Sequence, residues 1–158
     1  MLNEDYRDML HALADEKVDF LLVGAYALAA HGYPRATMDI DIWVRPGPDN
    51  AAAVLRALAR FGAPLHEISQ ADLEREGTVF QIGVAPRRID IITAASGLQF
   101  EEAFGKAASV EIEGIHVRIP TVGDLIRNKR AAGRTKDLAD AEALADLEGI
   151  GRADAPEG

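Results

Sequence analysis

Asp39-Ile40-Asp41-Ile42-Trp43-Val44 constrains this chain more than any other stretch. Its β-branched and aromatic residues read as a strand, and side chains on a strand alternate between faces. Asp39 and Asp41 therefore share one face, and Ile40 and Ile42 share the other. Two carboxylates side by side in a segment built for burial repel each other and are costly to desolvate. They are tolerable when a divalent cation lies between them or when water reaches them. A fold that buries one side of this strand must keep the other side open.

The segment leading to it has the form strand, turn, helix. Phe20-Leu21-Leu22-Val23 is a short apolar run, Gly24 stops it, and Ala25 to His31 reads as a helix broken by Gly32-Tyr33-Pro34. A glycine between a strand and a helix lets backbone approach a ligand closely, and the helix start offers free N–H groups to phosphate. Gly24 is thus a candidate phosphate contact. Arg35 and Thr37, just ahead of Asp39, are candidates to bind phosphate or to order the loop.

Along the rest of the chain, an amphipathic helix is expected over Asn3 to Lys17, with Tyr6, Met9, Leu10 and Leu13 inward. Another starts at Pro48 and ends at Gly62, and Ser69 with Asp72 predicts a capping box on a short helix. Thr78 to Val84 and Arg87 to Thr93 read as a hairpin joined at Ala85-Pro86, and 109–113 with 115–119 as a second about Gly114. Gln99 to Phe104 is expected as a short helix between them. Thr121 and Asp124 predict a reciprocal cap on a helix that Gly133 ends. A last helix follows from Lys136 to Leu147, with Leu138, Ala141, Leu144 and Ala145 inward. Residues 1–148 are expected as one domain, and 149–158, polar and rich in Gly and Pro, as a flexible tail.

Asp90 lies in the second strand of the first hairpin, a third carboxylate among β-branched residues. Mg²⁺ or Mn²⁺ takes oxygen ligands, commonly one or two carboxylates with water and substrate phosphate. Two such ions clamp the attacking and leaving oxygens of an in-line phosphoryl displacement. Asp39, Asp41 and Asp90 are accordingly the candidate metal ligands and catalytic residues. The dense basic cluster Arg127, Lys129, Arg130, Arg134 and Lys136 stands out in an acidic chain; Lys129 is the first choice for a phosphate contact and Lys136 the second.

Several function classes drop out on composition. With no cysteine, thiolate catalysis, disulfides and cysteine–zinc sites are excluded. The four histidines show no ligand spacing, and no serine sits in a nucleophile-elbow context. Twenty-six acidic against seventeen basic residues give a net charge of −9, which disfavours a long polyphosphate partner. No apolar run is long enough to span a membrane and the N-terminus lacks a signal pattern, so cytoplasmic residence without membrane contact is expected.

Val23-Gly24-Ala25-Tyr26-Ala27-Leu28 followed by Arg35-Ala36-Thr37-Met38-Asp39-Ile40-Asp41-Ile42 resembles the signature of the DNA polymerase beta-like nucleotidyltransferase superfamily. Within it, the likeness is nearer to the small bacterial branch that includes abortive-infection-type nucleotidyltransferase toxins. The segments 124–129 and 134–138 are similar to the helical end of that branch. The resemblance covers roughly residues 5 to 147. It implies an α/β (α+β) fold, a mixed sheet flanked by helices with further helices at the C-terminus. It also implies that Asp39 and Asp41 bind Mg²⁺ or Mn²⁺, that Asp90 helps activate the attacking hydroxyl, and that Gly24 and Ala25 hold the nucleotide phosphates. The implied reaction moves a nucleoside monophosphate from NTP to an acceptor hydroxyl on a small molecule, an RNA end or a protein, releasing pyrophosphate. The chain departs from the pattern in having Ala25 and Tyr26 where a second glycine or a serine is common.

The main alternative is a non-catalytic member of the fold that binds nucleotide or a partner in a toxin–antitoxin or regulatory pair. A sugar-nucleotide glycosyltransferase would need a larger nucleotide domain. A phospho-acceptor receiver domain would need regular strand–helix alternation in a parallel sheet, against which the Ala85-Pro86 hairpin speaks.

Overall fold

A computed structural model describes residues 2–33, 39–84 and 86–149. Arg35 and Thr37, the Ala85 turn position and the segment 150–158 lie outside the described residues. Strand β1 (Phe20–Val23) leads into α2 (Gly24–Ala30), and β2 (Ile40–Val44) returns antiparallel to β1. Strands β3 (Val79–Ile82) and β4 (Ile89–Ile92) form the expected antiparallel hairpin, and β4 then lies parallel to β2. The resulting order is β1-β2-β4-β3, a mixed sheet. It has one parallel pair, which is at odds with a receiver domain's all-parallel sheet.

The register explains why this sheet has two unlike faces. Phe20, Leu22, Ile40, Ile42, Val44, Phe80, Ile89 and Ile91 point to one side and join the main core. Helices α1 (Glu4–Asp15) and α3 (Pro48–Phe61) contribute Tyr6, Met9, Leu10, Leu13, Val54 and Leu58 to that core. The opposite side carries Leu21, Val23, Asp41, Trp43, Asp90 and Ile92. Its apolar part is closed by α5 (Phe100–Lys106), whose Phe100 meets Trp43 edge-to-face at 5.2 Å. Its acidic part is not covered by α5. Period-two alternation thus divides one strand between core and site.

The second hairpin, β5 (Ala108–Ile112) with β6 (Ile115–Ile119), turns through Glu113 and Gly114, both at positive φ (52° and 86°). That pair of left-handed residues is the turn whose twist matches a two-residue hairpin. The capping box on α4 (Gln70–Glu74) is present in both directions: Ser69 Oγ accepts from the Asp72 N–H and Asp72 Oδ2 accepts from the Ser69 N–H. On α6 (Val122–Ala132) only half of the expected box forms. Thr121 Oγ accepts from the Asp124 N–H, while the Asp124 carboxylate turns to Arg127 at 2.7 Å and Lys106 at 3.1 Å. Two cations outbid one backbone amide for a buried carboxylate.

Helix α7 (Thr135–Glu148) runs one residue further at each end than expected, and its inward row differs in one residue. Leu138 is 44% exposed, and the inward row is Asp137, Ala141, Leu144 and Ala145. Asp137 takes the turn that Leu138 was expected to fill because Arg134 and Lys129 draw its carboxylate inward. Leu144→Ala should therefore cost about 2–5 kcal/mol, whereas Leu138→Ala should stay within about 0.5 kcal/mol, as read from paired denaturant titrations.

Candidate functional site

Asp41 and Asp90 are direct register partners across the parallel β2–β4 pair, so their carboxylates rise from neighbouring backbone positions on the open face. Asp39 sits one residue ahead of β2, opposite Arg88, which is one residue ahead of β4. The three aspartates, 51 positions apart at the extremes, thus lie at one end of the sheet. Arg88 joins them. Its Nη2 lies 3.2 Å from Asp39 Oδ2 and 3.1 Å from Asp90 Oδ2, and its Nε donates to Asp90 Oδ1 at 2.8 Å. The guanidinium fork bridges two carboxylates at once.

Asp41 is the carboxylate outside that bridge. Burial, then the charge and hydrogen bond of Asp90, then the charge of Asp39, push its carboxyl up from 3.8 to about 6, against a smaller opposing pull from Arg88. Asp90 itself is buried, 7% exposed. Tyr6 underlies the cluster from α1: its hydroxyl donates to the Arg88 carbonyl at 3.2 Å and its ring meets Tyr26 edge-on at 5.7 Å. Burial, Tyr26 and Asp39 hold that phenol up to about 12, so it stays a neutral donor.

Gly24 makes the tightest fit in the site. Its φ is +69°, and a Cβ placed there would fall 2.4 Å from Asp41 Oδ2. Only glycine brings backbone this close to the carboxylate in a left-handed conformation. From Gly24 and Ala25 a cavity of about 630 Å³ runs across the sheet toward α6 and α7. Asp41, Val23 and Ile92 floor it, Ala94 to Ser96 form one side, and Asn128, Lys129, Arg134, Lys136, Asp137 and Asp140 form the far wall.

The two lysines expected to meet phosphate both line this cavity, in different states. Lys129 is engaged, 3.3 Å from Asp140 and 3.8 Å from Asp137. Lys136 is exposed, and no hydrogen bond or ion pair ties it to a described residue. Of the remaining basic cluster, Arg127 serves Asp124, Arg134 serves Asp137, and Arg130 lies 3.7 Å from Glu142. Those three are structural partners of carboxylates on and around the two helices.

Reasoning from sequence missed Arg88, Asn128 and Gln81. Asn128 donates to the Ser96 carbonyl at 2.9 Å across the cavity, and Gln81 is the register partner of Asp90 on β3, exposed on the open side. For Arg88 there was a usable signal: it stands two residues before Asp90 in an extended stretch, and so on the same face.

The donor set is one of hard oxygens, with no imidazole or thiolate, and Asp39 and Asp90 already hold a cationic group between them. Asp41 presses against Asp90 with the guanidinium committed elsewhere. These features fit Mg²⁺ or Mn²⁺. In the side-chain positions described, Arg88 stands in the acidic cluster, and no three acidic or imidazole side chains among the described residues converge as a metal site.

No family profile matches the sequence, and no curated protein does. Solved structures do match the fold. A Thermotoga maritima chain assigned as a nucleotidyltransferase superposes with a TM-score of 0.57 at 17% identity, covering 94% of this chain and 96% of that one. The antibiotic-resistance factor ANT(2″)-Ia superposes at 0.56 and 15% identity over 91% of this chain and 82% of its own. The same enzyme in complex with adenylyl-2″-tobramycin gives 0.56 and 16% over 90% and 86%. The architecture is therefore the nucleotidyltransferase fold. At these identities the likeness shows the fold and does not single out the toxin branch. Among the described residues no helix is long and apolar enough to cross a membrane.

Proposed function

We infer that the chain is a metal-dependent nucleotidyltransferase, transferring a nucleoside monophosphate from NTP to an acceptor hydroxyl. The observation that carries this reading is the pairing of Asp41 with Asp90 on neighbouring strands beside Gly24, with Asp39 joined to Asp90 through Arg88 and Asp41 lining a cavity that Lys129 and Lys136 also line. In this reading the Gly24 and Ala25 backbone faces the phosphates at one end, and the exposed ammonium of Lys136 takes a phosphate oxygen from the other wall. Lys129 contributes by holding Asp137 and Asp140 against the cavity, with direct phosphate contact second. Asp39, Asp41 and Asp90 are the residues that would hold Mg²⁺ or Mn²⁺. A bound divalent ion supplies charge neutralisation on the phosphates and alignment of the reacting oxygens. Asp90, buried beside the pair, takes the proton of the acceptor hydroxyl as that oxygen bonds to the α-phosphorus and the bond to pyrophosphate breaks.

The net charge of −9 favours a small molecule or a protein over a long RNA as acceptor. The adenylylated tobramycin carried by one structural neighbour illustrates a small-molecule hydroxyl acceptor on this architecture. A second reading, a non-catalytic binding member of the fold working with a protein partner, draws on one observation: Arg88 fills the acidic cluster. Incubation with each labelled NTP, Mg²⁺ or Mn²⁺ and a lysate separates the two. Label transferred to a small molecule, RNA or protein, and reduced about tenfold or more by Lys136→Ala, is expected. No transfer from any NTP with either metal sinks the enzymatic reading.

A further inference from the structure

The position of Arg88 bears on how the site takes up its metal. Its backbone is pinned on three sides. Its carbonyl accepts from the Ile40 N–H at 3.0 Å and from the Tyr6 hydroxyl at 3.2 Å, and its N–H donates to Asp39 Oδ1 at 3.2 Å. Its side chain is different. Among the described residues the guanidinium is held by Asp39 and Asp90 alone, and the side chain is 31% exposed, so it has a path to solvent that does not disturb the strand. A rigid main chain with one swinging cation is the arrangement of a side chain that can leave.

Electrostatics gives the reason it is there. Three carboxylates gathered on adjacent strand positions repel one another, and two of them are relieved by sharing one guanidinium. A divalent ion would relieve the same oxygens. Both cannot occupy them, because Nη2 already lies 3.1–3.2 Å from one oxygen of each carboxylate.

We propose that Arg88 is a tethered stand-in for the divalent ion, a positioning residue that keeps Asp39 and Asp90 turned toward each other in the metal-free protein and must swing out for metal to enter. The proposal rests on the metal-dependent reading of the site. On this basis the intrinsic metal affinity is set by competition within the chain. It is low until another anion, the nucleotide's phosphates, offers the displaced guanidinium a new partner.

The test uses Mn²⁺ alone, with no nucleotide, counted by loss of the free-ion EPR signal against the full chain. Arg88→Ala should bind Mn²⁺ about tenfold or more tightly than the wild type, since a cation competing within a few ångströms has been removed. Metal-free thermal stability of the variant should fall and saturating Mn²⁺ should restore it to the wild-type level, which a merely structural role would not do. Arg88→Lys keeps a charge but reaches one carboxylate at a time, and should bind about threefold more tightly than the wild type; it carries the test if the alanine variant does not fold. Mn²⁺ affinity equal to or below wild type in a folded variant overturns the role of Arg88 and leaves the metal site standing. Binding of Mn²⁺ by neither wild type nor variant, with or without NTP, overturns both.

Discussion

Asp41→Asn is expected to abolish nucleotide transfer, by about a thousandfold or more, and at the same time to make the metal-free protein more stable. The two effects share one cause. Asp41 is an ionised group packed against Asp90 and Asp39, with burial and both neighbours opposing its charge. Its carboxyl binds a proton more tightly in the folded protein, at about 6, than at its ordinary 3.8. Ionisation therefore works against folding. Stability should rise as pH falls from about 7 through about 6, and stop rising near the ordinary carboxylate value. The penalty at neutral pH is on the order of 2 to 3 kcal/mol. Asparagine removes the charge, keeps the shape and can donate to Asp90. Thermal melts at pH 7.5 should show Asp41→Asn several degrees above wild type, roughly 5 °C, with the gap closing by pH 4.5. A variant that is less stable at neutral pH while losing activity would mean that Asp41 supports the fold, and the functional assignment would lose its main argument.

Gly24→Ala should have the second largest effect, and through geometry alone. An L-residue held at φ +69° costs about 1–2 kcal/mol. The added methyl would also fall 2.4 Å from Asp41 Oδ2, well inside contact distance. The carboxylate must move, or the start of α2 must. A displacement near 1 Å at a reacting centre costs about a hundredfold in rate, so transfer should fall by at least that, with a smaller loss of stability. Steady-state assays beside denaturant titrations separate the two. Gly114→Ala offers a contrast, since its φ of +86° is also left-handed but nothing lies near its Cβ. It should lose stability and keep activity.

Much of this site could be read from periodicity. Asp39 and Asp41 had to share a face once Ile40 and Ile42 were committed to the core, and the glycine turn ahead of them marked where backbone would come close. Asp90 was visible as a carboxylate on a strand. What placed it was the parallel register of β4 on β2, a tertiary pairing with a 44-residue spacer between the strands that no local pattern encodes. Arg88 was overlooked for the same reason: a charge at the edge of a hairpin looks solvated until the pairing partner is known. In the basic cluster, composition revealed the charges but could not say which were already matched. Lys129 proves to be shared between Asp140 and Asp137, and Lys136, ranked behind it, lines the cavity with no hydrogen bond or ion pair to a described residue. Leu138 was misplaced by one position on a helix whose inward row admits a carboxylate. A hydrophobicity pattern treats Asp137 as outward, while two cations from α6 and the α6–α7 turn pull it in.

The structural neighbours place the architecture among nucleotidyltransferases but share only 15–17% of residues with this chain, so the chemistry must be argued from its own side chains. Those side chains make a specific demand. Nucleotide affinity should depend on a divalent ion held by Asp39 and Asp41. The most direct measurement is calorimetric titration of each NTP into wild type and the Asp39→Asn/Asp41→Asn variant, with Mg²⁺ present and with EDTA. The predicted result is micromolar binding of at least one NTP by the wild type with Mg²⁺, weakened about tenfold or more by EDTA or by the double substitution. Equal affinity with and without the metal, or full binding and transfer by the double variant, would contradict the assignment.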